Sequence, residues 1–280
     1  MRIILFGLGS IGKRHFDNLR ALRPGANIVI AEPQTSALLA ACVPPGNAML
    51  YAYRDWRQAL AENSDVDGAI IASPTDAHVE QMAALADAGI SFYVEKPLWN
   101  VDCGMQNANW ERMMAVLSLV ERHDLRCAAG FQYRYHAAVQ ASRETWQRNG
   151  HMSVVAYDDL LARYGATVGG TMASHPIDLA LWTLGDWHKV DLFGDGTFLR
   201  GTIAHEGDAF SYFDIRMDTG PRQSRILTAG IAGMRIDNLT ADNDMYERAL
   251  AAWLDYIETG RHDGTLATLG DGLAMMRVLA

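Results

Sequence analysis

Two short runs carry residue types suited to chemistry. The first is GLGSIG, which sets Gly7, Gly9 and Gly12 in G-x-G-x-x-G spacing between an apolar run, residues 2–6, and a helical pattern, residues 11–22. At that spacing Gly7 permits a tight turn, Gly9 lets an anionic group touch the backbone, and Gly12 lets strand and helix pack closely. The free N–H groups and positive end of the helix then face a pyrophosphate. The second is ISFYVEKPLW, residues 90–99, where a strand-like run passes straight into Glu95, Lys96 and Pro97. A buried strand ordinarily ends in Gly, Asn or Asp. A lysine there, partly desolvated beside a carboxylate, can hydrogen-bond a hydroxyl and shift its pKa. The residues alone also allow a surface Glu–Lys pair ahead of a proline turn.

The elements that position these residues follow from hydrophobic period. Strands are expected at residues 2–6, 27–31, 66–72, 90–94 and 126–130, and helices at 11–22, 55–61, 75–88 (with Thr75 as N-cap) and 110–122. Continuous apolar strands alternating with helices imply a parallel sheet covered on both faces, hence a doubly wound α/β Rossmann domain over residues 1–127. Ligands of such sheets bind beyond the carboxyl ends of the strands. Ser73 and Pro74 follow one strand, and Glu95 and Lys96 end another, so all four should line that crevice. Glu32 ends the second strand, about 20 residues past the glycine loop, where a carboxylate accepts hydrogen bonds from the adenosine ribose. It would repel a 2′-phosphate, and EPQTSA brings no arginine beside it, so NAD is favoured over NADP.

After about residue 150 the rhythm changes. HMSVVAYDD, KVDLFGDG, AFSYFDIRMD, RQSRILTAG and GMRIDNL read as strands with few helices between them, and helical patterns close the chain at 246–257 and 272–279. That is the pattern of an α+β domain with a mainly antiparallel sheet, residues 128–280, for substrate binding and oligomerisation.

Composition sets outer bounds. With 49% hydrophobic and 20% charged residues the 280-residue chain has a globular profile, and its net charge of −9 disfavours nucleic acid or an anionic membrane as partner. The start reads as a strand and not a signal peptide, and no apolar run reaches the roughly 18 residues of a membrane span. Cys42, Cys103 and Cys127 are odd in number and form no C-x-x-C pair, which fits a reducing cytoplasm. No H-E-x-x-H or comparable cluster marks a metal site, and no G-x-S-x-G elbow marks a serine nucleophile.

Taken in order, GLGSIGKRH, ASPTDAH, EKP, GFQYRYH and GG-x-x-x-SH-x-x-D resemble the glucose–fructose oxidoreductase/inositol dehydrogenase/MocA family, from residue 1 to about 184. The resemblance implies an NAD-dependent oxidoreductase acting on a secondary alcohol or ketone of a sugar, polyol or nucleotide-sugar derivative. It implies homodimers or homotetramers formed through the second sheet. Lys96 becomes the catalytic lysine, commonly before a cis proline, and His175 the acid/base partner, with Asp178 three residues on to orient it. Gly7, Gly9, Ser10, Ile11, Gly12, Glu32, Ser73, Pro74, His78, Glu95 and Lys96 form the expected cofactor set. Lys96, Gln132, Arg134, Tyr164, Thr171 and His175 form the expected substrate set.

Thr171 stands where many members carry an aspartate, four residues before the histidine, and the segment 157–169 looks short. Both features leave open an inactive, cofactor-sensing regulator or scaffold of the same fold. Pro176 is compatible only with a first helical turn, so a helix should start near Ser174 and hold His175 at its positive end, where neutral imidazole is favoured.

Overall fold

The computed structural model describes residues 1–34, 50–100, 106–158, 172–217, 226–231, 234–236 and 243–280. They fall into two compact units. One draws on described residues within 1–99, 105–130 and 246–269, the other on those within 100–104, 131–245 and 270–280.

The first unit is built on six parallel strands: β1 (Arg2–Phe6), β2 (Asn27–Ala31), β3 (Leu50–Tyr53), β4 (Gly68–Ile71), β5 (Phe92–Glu95) and β6 (Ala128–Gly130). They lie in the order β3-β2-β1-β4-β5-β6. Every residue of β4, β5 and β6 is buried, as strands covered on both faces must be. Helices α1 (Ser10–Leu22), α2 (Trp56–Glu62), α3 (His78–Asp87) and α4 (Gln106–Arg122) connect them. β3 is the strand that sequence reading misses. At the edge of the sheet its LYAY run is only partly buried and carries no continuous apolar signal.

Thr75 proves not to cap a helix. The carbonyl of Pro74 accepts from Ala77 N–H at 3.0 Å, closing a 3-10 turn over Thr75–Ala77, and α3 begins at His78. The strand expected at 90–94 is shifted and runs from Phe92 through Glu95.

The second unit opens with α5 (Ala137–Asn149), whose first turn is capped by a ring nitrogen of His136 accepting from Ala138 N–H, and which ends at Gly150 with φ +61. Its sheet joins β7 (His151–Asp158), β8 (Trp187–Gly194), β9 (Phe198–His205), β10 (Phe210–Met217), β11 (Ile226–Ile231) and β12 (Met234–Ile236) in the order β12-β11-β7-β10-β9-β8. All neighbours are antiparallel except β7 and β10. A parallel neighbour needs a crossover, and α6 (Ser174–Leu184) lies between β7 and the β8–β9–β10 meander in the chain.

The chain then returns to the first unit with α7 (Asp244–Thr259), before α8 (Leu269–Leu279) ends it. Trp253 fastens α7. Its ring is fully buried, its Nε1–H donates to the Arg126 carbonyl at 3.0 Å, and it meets Tyr93 at 5.9 Å between centroids. It lies so close to β4 that a Cβ on Gly68 would come within 3.0 Å of the indole. Arg23, the C-cap of α1, adds ion pairs to Asp255 and Glu258. Trp253→Ala should cost about 3–5 kcal/mol of stability, read as a lowered urea midpoint. Lys substituted for Arg23 should cost under about 1 kcal/mol, because that network is largely exposed.

Candidate functional site

The glycine loop leaves β1 at the carboxyl edge of the sheet. Gly7 has φ +89 and donates its N–H to Ala31 O at 2.8 Å. A Cβ at Gly7 would lie 2.7 Å from Ala72 O, and one at Gly12 would lie 2.2 Å from Gly7 O. Neither position tolerates a side chain. Gly9 differs, since a Cβ there would meet nothing within 4 Å. Its backbone borders open space, where a pyrophosphate can lie against it. Ser10 and Ile11 form the first residues of α1, with Lys13 N–H donating to Gly9 O at 2.8 Å.

A cavity of about 380 Å³ opens beside this loop, and Gly7, Gly9, Glu32, Ser73 and Pro74 of the expected cofactor set line it together. Arg54, Trp56 and Gln81 line it too. Sequence reading missed Arg54 and Trp56 because both depend on β3. They follow its carboxyl end, beside β2, and only the strand order brings them to Glu32.

Glu32 is 8% exposed and its carboxylate is held on two sides. One oxygen accepts from Leu8 N–H at 2.7 Å, inside the glycine loop, and the other from Gln34 N–H at 2.8 Å. The acid therefore fixes the loop as well as presenting an acceptor to the cavity. The residues fit a dinucleotide: a glycine loop open at one backbone position, a cavity of ligand size, and a carboxylate at the ribose end.

At the end of β5, Lys96 is half-buried, and its peptide bond to Pro97 is cis. Glu95 is turned inward, 5% exposed, with Oε1 at 2.7 Å from His15 Nε2. His78 is 1% exposed, its Nδ1 lying 3.0 Å from Pro97 O and its Nε2 3.0 Å from Ser73 O. Glu95 and His78 thus sit behind the wall that carries Lys96.

In the second unit α6 begins at Ser174 with Pro176 in its first turn. His175 is 6% exposed and clamped by aromatic rings, stacked on Tyr133 at 4.0 Å and 14° and edge-on to Phe131 at 6.0 Å. Asp178 directs both carboxylate oxygens to Arg134. Arg134 Nε donates to Oδ2 at 2.9 Å and Nη2 to Oδ1, and Nη2 also lies 3.4 Å from Asp271. Arg134 and Gln132 are themselves buried. Burial pushes the Asp178 carboxyl up to about 6, against the downward pull of Arg134. Burial also opposes the charge on Arg134, but Asp178 and Asp271 outweigh it and raise its pKa. Tyr164 and Thr171 lie outside the described residues.

Among the described residues there is no group of three or more His, Cys, Asp or Glu placed to hold a metal, and no helix long and apolar enough to cross a membrane. Cys127 is buried, and burial pushes its thiol to about 12, far from a reactive thiolate.

Residues 1–131 match the model of an oxidoreductase family with an NAD-binding Rossmann fold, GFO_IDH_MocA. Among curated relatives it is 32% identical over 140 residues to a 4-carboxy-2-hydroxymuconate-6-semialdehyde dehydrogenase of Sphingobium, covering 50% of this chain and 41% of that protein. It is 26% identical over 210 residues to a myo-inositol 2-dehydrogenase of Thermotoga maritima, covering 71% and 59%. The chain thus spans about half the length of the curated relatives it matches.

Solved structures share the fold over the whole chain. A scyllo-inositol dehydrogenase from Lactobacillus casei with NAD(H) and scyllo-inositol has a TM-score of 0.81 at 16% identity, covering 100% of this chain and 94% of that one. The WlbA (WbpB) dehydrogenase from Thermus thermophilus with NAD and UDP-GlcNAcA has 0.77 at 19%, with the same coverage.

Two outcomes are expected. Glu32→Gln should weaken NADH binding about tenfold or more, since hydrogen bonds to a charged acceptor contribute about 1.5–3 kcal/mol, while NADPH binding improves relative to NADH; fluorescence titration reads both. Arg134→Met strands the Asp178 carboxylate, and breaking such a pair costs about 3–5 kcal/mol. With Arg134 gone the folded-state pKa of Asp178 rises further above its unfolded value. The penalty is therefore fully present at pH 8 and relieved as the pH falls through that pKa. Urea unfolding at pH 8 and pH 5 should show the larger loss at pH 8.

Proposed function

We propose that this chain is an NAD-dependent dehydrogenase acting on a secondary alcohol, or the corresponding ketone, of a sugar, polyol or nucleotide-sugar derivative. The observation that carries the reading is the placement of Lys96. The chain has three lysines, Lys13, Lys96 and Lys189, and Lys96 alone is not exposed. It stands at the carboxyl end of a parallel strand in a sheet whose glycine loop and Glu32 already form a dinucleotide cavity. A structural lysine has little reason to be half-buried there.

Gly7, Gly9, Gly12, Glu32, Ser73 and Pro74 would hold the NAD, with Arg54 and Trp56 on the adenosine side. When bound, NAD supplies the hydride acceptor or donor. The chain's own residues manage the proton and the charge. Lys96 donates a hydrogen bond to the substrate oxygen and stabilises negative charge developing on it in oxidation. His175, its ring fixed between Tyr133 and Phe131, takes the hydroxyl proton. Asp178 acts at one remove, through the buried ion pair that anchors α6 beneath His175. The printed substrates of the relatives and neighbours, inositols and a UDP-sugar among them, support a polyhydroxylated substrate.

The partner expected in this reading is a second copy of the chain, on the exposed face of the second sheet that includes Phe193, 57% exposed. Sedimentation equilibrium should give a dimer or tetramer, and Phe193→Glu should lower the association state.

The deciding test is a titration with NADH and NADPH, followed by energy transfer from tryptophan, and then a screen of inositols, sugars and UDP-sugars with NAD. Tight NADH binding, weak NADPH binding and turnover that Lys96→Ala reduces by at least about 10³-fold, with NADH affinity retained, are expected. Binding of neither nucleotide would sink the reading, and joint loss of turnover and NADH affinity in Lys96→Ala would make Lys96 structural.

A further inference from the structure

Three buried titratable side chains of the first unit have no part in the chemistry above: His15, Glu95 and His78. They flank Lys96 on both sides of the chain. Before it, the Glu95 carboxylate is turned inward to His15 of α1 at 2.7 Å, and a Cβ on Gly130 of the neighbouring β6 would lie only 3.0 Å from that carboxylate. After it, the carbonyl of Pro97 meets Nδ1 of His78 at 3.0 Å. The same ring reaches the carbonyl of Ser73, at the end of β4, with Nε2 at 3.0 Å. One imidazole thus bridges the segments that follow β4 and β5, two of the strand ends that open on the ligand crevice.

Both partners of the ring are carbonyl oxygens, which only accept. A neutral imidazole has a single N–H and can donate to one of them. Burial pushes the ring toward the neutral form, while the two carbonyls, Glu95 and Asp76 pull the other way and the balance lies below the usual histidine value. The one N–H belongs where its loss costs most. The contact with Pro97 is fully buried and the contact with Ser73 only partly so. A carbonyl at the half-open Ser73 can be hydrated, whereas the Pro97 carbonyl inside the protein has no such substitute.

We propose that His78 is a positioning residue for Lys96: its Nδ1–H donates to the Pro97 carbonyl and, with Glu95 held by His15, fixes the backbone on both sides of the lysine. The inference rests on the reading of Lys96 as the group that meets the substrate oxygen. The charged and titratable groups around the clamp are His15 from α1, Glu95 from β5, Asp76 from the turn before α3, and Lys96 itself.

Because the chain has only three lysines, two of them exposed, the test can watch Lys96 directly. Reductive ¹³C-methylation yields one ε-dimethylamine signal per lysine, assigned with Lys96→Arg. The signal is followed in wild type, His78→Asn, His78→Gln and His78→Leu, with kinetics on the unmodified proteins. Asparagine keeps a donor near the place of Nδ1, glutamine near that of Nε2, and leucine keeps neither. In wild type and His78→Asn the Lys96 signal should lie apart from those of Lys13 and Lys189. In His78→Gln and His78→Leu it should move toward them, with kcat down about a hundredfold and KM for NAD within about twofold.

An unchanged Lys96 signal in His78→Gln and His78→Leu overturns the proposal, as does retention in His78→Gln with loss in His78→Asn. The near-isosteric Asn and Gln variants carry the comparison if His78→Leu does not fold. Should wild type show no turnover while the signal follows the series, the positioning role stands and the dehydrogenase reading alone falls. Turnover in wild type with a signal indifferent to the series removes the positioning role alone.

Discussion

The contact between the glycine loop and the backbone at the end of β4 governs the first unit. With Gly7 at φ +89 and its missing Cβ pointing at Ala72 O and Ser73 Cα, the loop after β1 lies directly on the segment that follows β4. Any side chain at Gly7 would force these two apart, and at Gly12 it would separate α1 from the loop. The close approach has two effects. It brings α1 low enough over the sheet for His15 to reach Glu95 on β5, and it sets Ser73 and Pro74 across from Gly7 and Gly9 as opposite sides of one cavity. Glu32 then closes the arrangement from the β2 side by accepting Leu8 N–H. Strand order, cavity and loop conformation are therefore one constraint, since the acid that marks the ribose position also holds the loop that marks the pyrophosphate position.

The second unit solves a different problem by different means. An imidazole in the first turn of a helix has few local side chains to orient it, and α6 has neither a side-chain cap nor an acid in that turn. The orientation comes from the aromatic run before α5. Phe131 and Tyr133 enclose His175 on an edge and a face. Arg134, next in the chain, binds Asp178 one turn along the same helix. A single short segment thus sets both the ring and the helix that bears it. Burying the Arg134–Asp178 pair contributes little net stability against desolvation, but it makes displacement of either element costly.

How much of this was legible in the sequence depends on how local each signal is. GLGSIG, the apolar strands and Glu32 are read within one βαβ unit, where local spacing and geometry coincide, so the parallel sense of the first sheet and its nucleotide cavity follow directly. β3 has a short, half-exposed pattern, and with it Arg54 and Trp56 stayed hidden until strand order placed them. Asp178 misled for the same reason. Three residues after His175 on a helix, it reads as the partner of that ring, whereas its ligand, Arg134, lies 44 positions away and no local pattern announces it. The return of α7 to the first unit is likewise long-range, set by the fit of Trp253 into the space left by Gly68 and by its bond to Arg126 O.

Among the described residues, three buried carboxylates show what this leaves for chemistry. Glu32 is held by backbone N–H groups, Glu95 by a histidine and Asp178 by an arginine. A buried acid without such a partner would take up a proton or draw in the nearest cation. Glu95 is the telling case, because the nearest cation in sequence is Lys96. Strand geometry sends neighbouring side chains to opposite faces, so at the end of β5 the acid, on the face opposite to Val94, goes inward to His15. The alternation of a single strand, together with a histidine on α1 that takes the acid, thus commits Glu95 to the interior at the very end of the strand, one residue before Lys96 and the cis bond to Pro97.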